Sequence, residues 1–292
     1  MLRGGVIVVI GATGHIGAEL ISILSREGVA AIAVTRDERR TPFLPGIQWM
    51  TADLAEPAST ERVLRGVRDL FLLTPNGENL ADLQIGAIRA ARGAGVERIV
   101  KLSALGASDH SQSPIGRAHY QAETELLNSG LKWTILRPHV FMQNLLEQAP
   151  TIVKEGRIYA ASGDGKIPFV DTRDIAAVAA ATLTKPGHDG RKYVLTGPEP
   201  LSYADVARIL SEVVGRPVEY VALSLDEARG RMMQAGAPLS TIEGMIALAA
   251  YQRAGGPTAL VHDTVERILG RPPRSFAEFA KDHRRIFQGP PQ

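Results

Sequence analysis

Val6-Ile7-Val8-Val9-Ile10 runs directly into Gly11-Ala12-Thr13-Gly14-His15-Ile16-Gly17, and this stretch decides the fold class. The five apolar, mostly β-branched residues predict a buried strand. Three glycines at G-x-x-G-x-x-G spacing then predict a tight turn into a helix over residues 16–25. The start of such a helix offers free N–H groups and a partial positive charge, which suit a dinucleotide pyrophosphate. The alternative is a tight strand-to-helix turn that binds no ligand.

Strand and helix patterns alternate along the chain as far as Val140. Helices are predicted at 79–94 and 115–128, and further strands at 30–34, 47–51, 69–73, 98–102 and 132–137. Short strands separated by helices of ten or more residues are typical of βαβ units and a parallel sheet. We therefore expect an α/β fold with a doubly wound parallel sheet of the Rossmann type.

After Val140 the pattern changes. A helix at 174–183 and a strand at 193–195 still fit the sheet and its cover. The remaining segments are interpreted as mostly helical, with helix starts at Ser202, Ser224 and Ser275. We predict a nucleotide-binding domain at 1–139 plus 166–195, and a smaller, mostly helical C-terminal substrate lobe at 140–165 plus 196–292.

Composition excludes several classes of protein. The chain has 292 residues and a net charge of +2, so we expect no surface for nucleic acid. It contains no cysteine, and its seven histidines show no metal-ligand spacing, so neither disulfides nor a metal site is expected. The uncharged run at 175–184 is shorter than the ~20 residues that span a bilayer, and the N-terminus shows no cleavable signal. A soluble, cytoplasmic protein without a membrane partner is expected.

The charged turn after the second strand bears on the choice between NADP(H) and NAD(H). Arg36 stands where the adenosine ribose lies in this fold, and an arginine there pairs with a 2′-phosphate. Asp37 is the next residue and could instead accept a hydrogen bond from the free ribose of NAD(H). Arg36 comes first along the chain, so we favour NADP(H), with NAD(H) possible. Arg39 and Arg40 could add charge, and a solvated charged turn is the third interpretation.

Several motifs follow the glycine turn in order. They are Val34-Thr35-Arg36, Lys101-Leu102-Ser103-Ala104, His119-x-x-x-Glu123, Ser129-Gly130-Leu131-x-Trp133-Thr134-Ile135-Leu136-Arg137-Pro138 and Phe169-Val170-Asp171-Thr172-Arg173-Asp174-Ile175-Ala176. Together they resemble the NmrA-like family, atypical members of the short-chain dehydrogenase/reductase superfamily. That family includes NAD(P)H-dependent quinone reductases, azoreductases, plant ether reductases and ergot-pathway imine reductases. It also includes NADP-sensing regulators with no known catalysis.

The cofactor-binding residues are assigned from the strand ends. The turns after the first three strands contribute Gly11, Thr13, Gly14, His15, Ile16, Gly17, Arg36, Asp53 and Leu54. The resemblance adds Thr74, Pro75, Asn76, Ser103, Ala104, Pro138, His139, Val140 and Phe141. Because ligands of open α/β sheets bind outside the carboxyl ends of the strands, these loops are expected to meet in one crevice. Asp53 is expected at the adenine edge or as a helix cap, and Phe141 at the wall of the substrate pocket.

The usual catalytic pair of short-chain dehydrogenases is incomplete in this sequence. Those enzymes use Tyr-x-x-x-Lys, in which the lysine lowers the tyrosine pKa, whereas here Thr124 stands in the lysine position after Tyr120. A tyrosine without a nearby cation keeps a pKa of about 10 and is a poor acid at neutral pH. Alcohol dehydrogenation and sugar-nucleotide epimerisation are therefore not expected.

His119, Ser103 and Tyr120 are the candidate catalytic residues. The resemblance places His119 where ether reductases carry a functional lysine and quinone-reductase-like members a histidine. A histidine with a pKa near ~6.5 donates a proton or a hydrogen bond at physiological pH, which suits reduction of a quinone, azo or imine group. Alternatively, His119 only orders the loop near Ser103.

Two functions remain open from the sequence. The first is an NADPH-dependent reductase of a small aromatic or conjugated acceptor, acting as a monomer or homodimer. The second is a non-catalytic regulatory protein that senses NADP(H).

Overall fold

The structure is a computed structural model that describes residues 5–37, 39 and 41–289. Its internal contacts divide the chain into two compact units. The first comprises Met1–Ser111, Ile115–Pro138 and Ile175–Val194, and the second comprises Gln112–Pro114, His139–Asp174 and Leu195–Gln292. Residues 166–174, assigned above to the nucleotide-binding domain, group with the second unit. The roles of the two units as nucleotide domain and substrate lobe stay predictions.

The strands of the described residues form two sheets. They are β1 Val6–Val9, β2 Ala31–Thr35, β3 Ile47–Thr51, β4 Val67–Leu72, β5 Arg98–Leu102, β6 Lys132–Pro138, β7 Arg157–Ala160, β8 Arg191–Leu195 and β9 Glu219–Ala222. A seven-stranded sheet has the order β3-β2-β1-β4-β5-β6-β8, and the pairings from β3 to β6 are parallel. Strands β1 to β3 follow one another in one direction and β4 to β6 in the other, so the strand order reverses between β1 and β4. Such a reversal is the switch point of a doubly wound sheet. The predicted Rossmann fold is confirmed.

Helices connect these strands and form most of the second unit. They are α1 His15–Arg26, α2 Pro57–Leu64, α3 Leu80–Gly93, α4 Pro114–Asn128, α5 Ala149–Glu155, α6 Thr172–Thr184, α7 Tyr203–Val214, α8 Leu225–Gln234, α9 Leu239–Ala254, α10 Thr264–Leu269, α11 Phe276–Asp282 and α12 Arg284–Gln288. The helices and strands predicted before Val140 are confirmed, with small shifts at their ends, and α2 is an addition.

The core of the first unit lies between the central strands and their helices. Val8 on β1, Leu70 on β4 and Ile99 on β5 are fully buried beneath α2 and α3. Parallel strands covered on both faces are almost continuously apolar, which is why their positions are visible in the sequence. This rigid centre holds the loops at the carboxyl ends of β1, β2, β4 and β5.

The second unit has its own core and its own small sheet. Phe169, Phe276, Phe279 and Phe287 are buried together in this core. Capping boxes begin three of its helices. Those of Ser224 with Glu227 and Ser275 with Glu278 were predicted, whereas at Ser202 only the N-cap was predicted and the structure adds its partner Asp205. The parallel pair β7-β9 was not predicted, because such short strands carry too little periodic pattern to distinguish them from loop.

Candidate active site

Two glycines of the first turn are required by the packing of the protein itself. Gly11 has φ +83°, and a Cβ there would lie 2.6 Å from the carbonyl oxygen of Leu73. A Cβ at Gly17 would lie 2.0 Å from the carbonyl oxygen of Gly11. The first glycine therefore permits the sharp turn after β1, and the third permits α1 to pack against that turn.

Gly14 has a different reason to be glycine. Its backbone is extended, with φ −82° and ψ 170°, and a Cβ there would meet only the Gly11 oxygen at 3.6 Å. No side chain caps α1, and Thr13, Gly14 and His15 are exposed. Since the protein leaves space above this helix start, the missing side chain fits the close approach of an anion such as a pyrophosphate. The side chain of Ile16 is buried, so only its backbone N–H could take part.

The turn after β2 separates the two candidates for ribose recognition. The carboxylate of Asp37 accepts hydrogen bonds from Nε and Nη2 of Arg39, each at 2.9 Å. These hydrogen bonds lower the pKa of Asp37. Arg36 is exposed and has no hydrogen bond or ion pair with any residue that the structure describes. The Arg36 guanidinium is therefore available to a 2′-phosphate, whereas the Asp37 carboxylate pairs with Arg39; which of the two meets the ribose stays a prediction. Arg40 lies outside the described residues.

Asp53 lies between β3 and α2 and is exposed. Its Oδ1 accepts a hydrogen bond of 2.9 Å from the backbone N–H of Ala55, whereas the N-cap of α2 is Glu56. Asp53 thus shapes the turn that precedes the helix and does not itself cap it. Leu54 is half-buried against the core of the first unit.

The loop after β4 has one buried residue and two exposed ones. The hydroxyl of Thr74 is buried and accepts a hydrogen bond of 2.8 Å from Nε2 of Gln84 on α3. Gln84 is fully buried, and its Oε1 has no hydrogen-bond partner among the described residues. Pro75 and Asn76 are exposed at the edge of the sheet. The exposed pair is available to a ligand, and Thr74 supports the loop beneath it.

A buried carboxylate organises the loop after β5. Ser103 Oγ donates a hydrogen bond of 2.6 Å to Oε1 of Glu123, which lies on α4. Arg137 on β6 donates two more to the same carboxylate, at 2.9 and 2.6 Å, and Lys192 on β8 lies 3.2 Å away. Ala104, next along the loop, is half-buried. The Ser103 hydroxyl therefore donates its proton within the protein, and its catalytic role stays a prediction.

Glu123 is ionised despite its burial. Burial alone would raise the pKa of Glu123, but hydrogen bonds from Arg137 and Ser103 and the charges of Arg137 and Lys192 together lower it. Neither Glu123 nor Arg137 was predicted as a site residue, although both lie in the motifs quoted above.

The predicted catalytic residue His119 is buried beside a lysine, and its pKa is lowered. It lies on α4, is only 5% exposed, and its Nδ1 is 3.2 Å from Nζ of Lys101 on β5. Burial, the charge of Lys101 and the charge of Arg137 bring the pKa of His119 well below 6.5. The prediction of a histidine that titrates near 6.5 is therefore wrong, and the ring is neutral at physiological pH.

Lys101 is a third residue of this site that was not predicted. It is fully buried, and its Nζ donates a hydrogen bond of 3.1 Å to the carbonyl oxygen of Leu102. Burial lowers the pKa of Lys101 to about 7, against the opposing charge of Glu123. A lysine inside the apolar strand Arg98–Leu102 was a visible signal, because charged side chains are almost never buried without a partner.

Tyr120 follows His119 on α4 and is half-buried. Thr124, in the position of the missing lysine, donates its hydroxyl to the backbone carbonyl of Tyr120 at 2.9 Å. That hydrogen bond stays within the helix and does not involve the phenol. A catalytic role for Tyr120 stays a prediction.

Pro138 ends β6, and its carbonyl accepts a hydrogen bond of 3.0 Å from the N–H of Leu105. In the second unit, the ring of His139 lies 3.0 Å from the carbonyl of Thr258 and accepts a hydrogen bond from the N–H of Val140. Burial lowers the pKa of His139 to about 4. These backbone groups were predicted to meet the nicotinamide carboxamide, but those of Pro138 and Val140 already have partners within the protein. Phe141 is half-buried.

Metal-ligand groupings and membrane-spanning helices are both absent from residues 5–37, 39 and 41–289. No group of three or more His, Asp or Glu side chains is placed to hold a metal ion there. No helix within that part of the chain has the length and apolar character needed to cross a bilayer.

Known proteins are similar to this chain over nearly its whole length. The model of the NmrA-like family matches residues 4–270. The NAD(P)H azoreductase of Xenophilus azovorans is 40% identical, over 96% of this chain and 99% of its own length. The (4-alkanoyl-5-oxo-2,5-dihydrofuran-3-yl)methyl phosphate reductase of Streptomyces griseus is 36% identical, over 96% of this chain and 99% of its own length.

A solved structure shares the fold over the same extent. The NADPH-dependent quinone oxidoreductase of Escherichia coli, in complex with NADPH, has a TM-score of 0.85 at 28% identity. The similarity covers 95% of this chain and 99% of that one. With a matching family model and relatives of this identity along almost its whole length, the chain belongs to the NmrA-like family.

Proposed function

We propose that this protein transfers hydride from NADPH to a small aromatic or conjugated acceptor of the quinone, azo or imine type, without a Tyr-Lys pair. That the protein is an NAD(P)H-dependent reductase follows from its family together with the named reductases to which it is similar over nearly its whole length. The class of acceptor and the chemistry of its reduction are proposed from the residues described above.

The observation that carries the proposal is the turn between β1 and α1. Gly14 leaves the start of α1 open to an anion, and its glycine is not required by any contact among the described residues. Arg36, with no partner in that part of the chain, supplies a cation for a 2′-phosphate. These residues would hold NADPH, and when bound it would supply a hydride to the acceptor. The proposed cofactor is NADP(H), with NAD(H) possible.

His119 supports an acceptor that needs little acid assistance. A neutral imidazole donates a hydrogen bond to a developing negative charge, but it is a weaker acid than imidazolium. A quinone, azo or imine group becomes stabilised by conjugation as it accepts hydride, so a hydrogen-bond donor suffices at its oxygen or nitrogen. We assign that donor role to His119, and a supporting role to Ser103.

A non-catalytic NADP(H) sensor is the alternative, and it is not favoured. The relatives described above are named as reductases. The proposal also includes a cytoplasmic location, no nucleic-acid partner, and a monomeric or homodimeric state.

The test is NADPH oxidation by the purified protein with a panel of quinones, azo dyes and cyclic imines. We expect acceptor-dependent turnover with at least one of the three chemical classes. His119→Gln should lower kcat by about tenfold or more while the Kd for NADPH is unchanged, since an acid or donor group of this kind contributes that much or more. Binding of NADPH without turnover across the whole panel would instead favour the sensor.

A further inference from the structure

We propose that Lys101 is a positioning residue that acts through His119: it holds the ring in the Nε2–H tautomer and supplies, through the ring, the proton that the reduced acceptor takes up. This inference rests on the proposed function, because it assigns the acceptor to the Nε2 side of His119. Lys101 lies in one of the family motifs quoted above, but no role was predicted for it.

Lys101 and His119 form a buried pair between β5 and α4. Lys101 Nζ lies 3.2 Å from Nδ1 of His119 and 3.1 Å from the carbonyl oxygen of Leu102. An ammonium group has three donors and no acceptor, so its partner on the ring must accept. Nδ1 of His119 is then unprotonated, and the single proton of the neutral ring lies on Nε2.

His119 Nε2 has no hydrogen-bond partner among the described residues. The buried side-chain atoms of those residues that lack a partner are Gln84 Oε1 and Thr258 Oγ1, and Nε2 is not one of them. Nε2 therefore keeps access to solvent, although the residue as a whole is only 5% exposed. The ring has one nitrogen facing the lysine and the other open to a ligand.

Glu123 and Arg137 are the charged groups that act on Lys101, and Lys101 and Arg137 are those that act on His119. Arg137 is engaged by the Glu123 carboxylate, which also receives Lys192. With its pKa near 7, Lys101 is present both as ammonium and as amine at neutral pH, so it can release a proton there.

The proton transfers balance without any further reagent. Reduction of the acceptor consumes the hydride that NADPH supplies and one proton. The Nε2–H bond of His119 breaks and its proton goes to the acceptor oxygen or nitrogen, while an N–H bond of Lys101 breaks and its proton goes to Nδ1. The ring stays neutral throughout, and Lys101 becomes a neutral amine. One solvent proton, taken up at Nε2 with return of the Nδ1 proton to Lys101, restores the starting state.

Nitrogen NMR of the cofactor-free protein tests the pair independently of activity. In protein labelled with ¹⁵N-histidine, the His119 signals are identified by their loss in His119→Gln. We expect the Nε2–H tautomer in the wild type and no ring protonation at pH 6. In Lys101→Met the ring should lose this tautomer preference, and its pKa should rise by at least about 0.5 units, because a cationic neighbour has been removed. A wild-type ring in the Nδ1–H tautomer would overturn the proposal.

The pH dependence of kcat tests the relay. In the wild type kcat should fall as pH rises above about 7, where Lys101 loses its proton. Lys101→Met should lose this dependence and lower kcat at neutral pH by at least about tenfold. Lys101→Arg should keep the Nε2–H tautomer but also lose the dependence, since arginine does not release a proton in this range. Lys132→Met, an exposed lysine on β6, is the matched control and should behave as the wild type.

The two experiments separate the failures. Turnover with an unchanged pH dependence in Lys101→Met would overturn the relay while leaving the proposed function intact. Absence of turnover with every acceptor would overturn the proposed function and the relay with it, whereas the NMR result would still decide whether Lys101 sets the tautomer. Circular dichroism of each variant establishes that it is folded before either result is used.

Discussion

At the scale of single residues, the partners of a charged side chain determine whether that side chain is available to a ligand. Asp37 and Arg36 are neighbours in sequence and were both candidates for the ribose, yet Asp37 is bonded to Arg39 and Arg36 is not bonded to any described residue. The same reasoning applies to Ser103, whose hydroxyl is committed to Glu123. A residue type identifies a candidate, and its hydrogen-bond partners determine whether the group is free to meet a ligand.

Arg36→Ala tests this distinction. We expect the Kd for NADPH to rise by about 10-fold to 100-fold, because a charge-assisted hydrogen bond contributes about 1.5–3 kcal/mol. The Kd for NADH should change little, since NADH has no 2′-phosphate. Titration calorimetry with both cofactors measures the difference, and Arg39→Ala is the control at the same turn. Equal losses for the two cofactors would show that Arg36 does not discriminate between them.

At the scale of elements, the β1–α1 turn combines a structural and a ligand-binding requirement. Gly14 and Gly17 both belong to the glycine motif, but only a Cβ at Gly17 collides with backbone. Glu123 serves a comparable purpose for α4, since its carboxylate bonds Ser103 after β5 and Arg137 on β6. Each contact ties a helix to the carboxyl end of a strand, which is where the candidate ligand-binding loops begin.

A matched pair of alanine variants separates the two requirements of the turn. Gly17→Ala should destabilise the protein by several kcal/mol, because its Cβ would lie 2.0 Å from the Gly11 oxygen. Gly14→Ala should leave the free energy of unfolding within about 1 kcal/mol of the wild type, yet weaken NADPH binding at least about tenfold. Urea denaturation and cofactor titration of both variants provide the measurements. Unweakened NADPH binding in Gly14→Ala would remove the anion cradle from the proposal.

Glu123→Gln tests the link between α4 and the strands. Loss of one partner of a buried ion pair should lower the free energy of unfolding at neutral pH by about 3 kcal/mol. The folded pKa of Glu123 lies below its unfolded value of 4.5, so its stabilisation is complete above pH 4.5 and is lost as pH falls through the folded pKa. The difference between wild type and variant should therefore shrink in acid.

The control for this variant lies on the same helix. Glu125 pairs with Arg89 near the surface, so Glu125→Gln should cost under about 1 kcal/mol at neutral pH. Denaturation curves between acidic and neutral pH compare the two variants with the wild type. A gap for Glu123→Gln that does not depend on pH would contradict the assignment of an ionised carboxylate.

At the scale of the whole molecule, the chain forms two units, and each has its own core. The first unit contains the glycine turn, Arg36, the Lys101–His119 pair and the Glu123 network. The second unit contains His139 and Phe141, whose predicted roles toward the cofactor and acceptor remain proposals. The groups that the proposed chemistry uses for the 2′-phosphate, the pyrophosphate and the proton therefore all belong to the first unit.

Cofactor binding should stabilise the protein against heat. A ligand that binds only the native state at about 100 times its Kd adds about 2.7 kcal/mol to the free energy of unfolding. We expect NADPH to raise the midpoint of thermal unfolding more than the same concentration of NADH does. Scanning calorimetry measures both, with Gly14→Ala as the control that should respond weakly. An equal rise with either cofactor would contradict the preference for NADP(H).

Local patterns in the amino-acid sequence were enough to predict the parallel sheet, the glycine turn and several helix starts. These features depend on local patterns: apolar runs such as Val6–Val9 in strands covered on both faces, glycines at fixed spacing, and capping pairs such as Ser224 with Glu227. The strands β7 and β9 were beyond this reach, because each is very short and is stabilised by a partner strand far away along the chain.

The protonation and hydrogen bonding of the candidate catalytic groups depend on contacts between distant parts of the chain. His119 on α4 and Lys101 on β5 lie on different elements, and burial together with the charges of Lys101 and Arg137 lowers the pKa of the ring. The Nε2–H tautomer that we propose depends on the same contact. The hydrogen bonds from Arg39 to Asp37 and from Ser103 to Glu123 also form only in the folded chain. Burial and the charges of neighbours set a pKa and a hydrogen-bond direction, and neither quantity is encoded in the residue type alone.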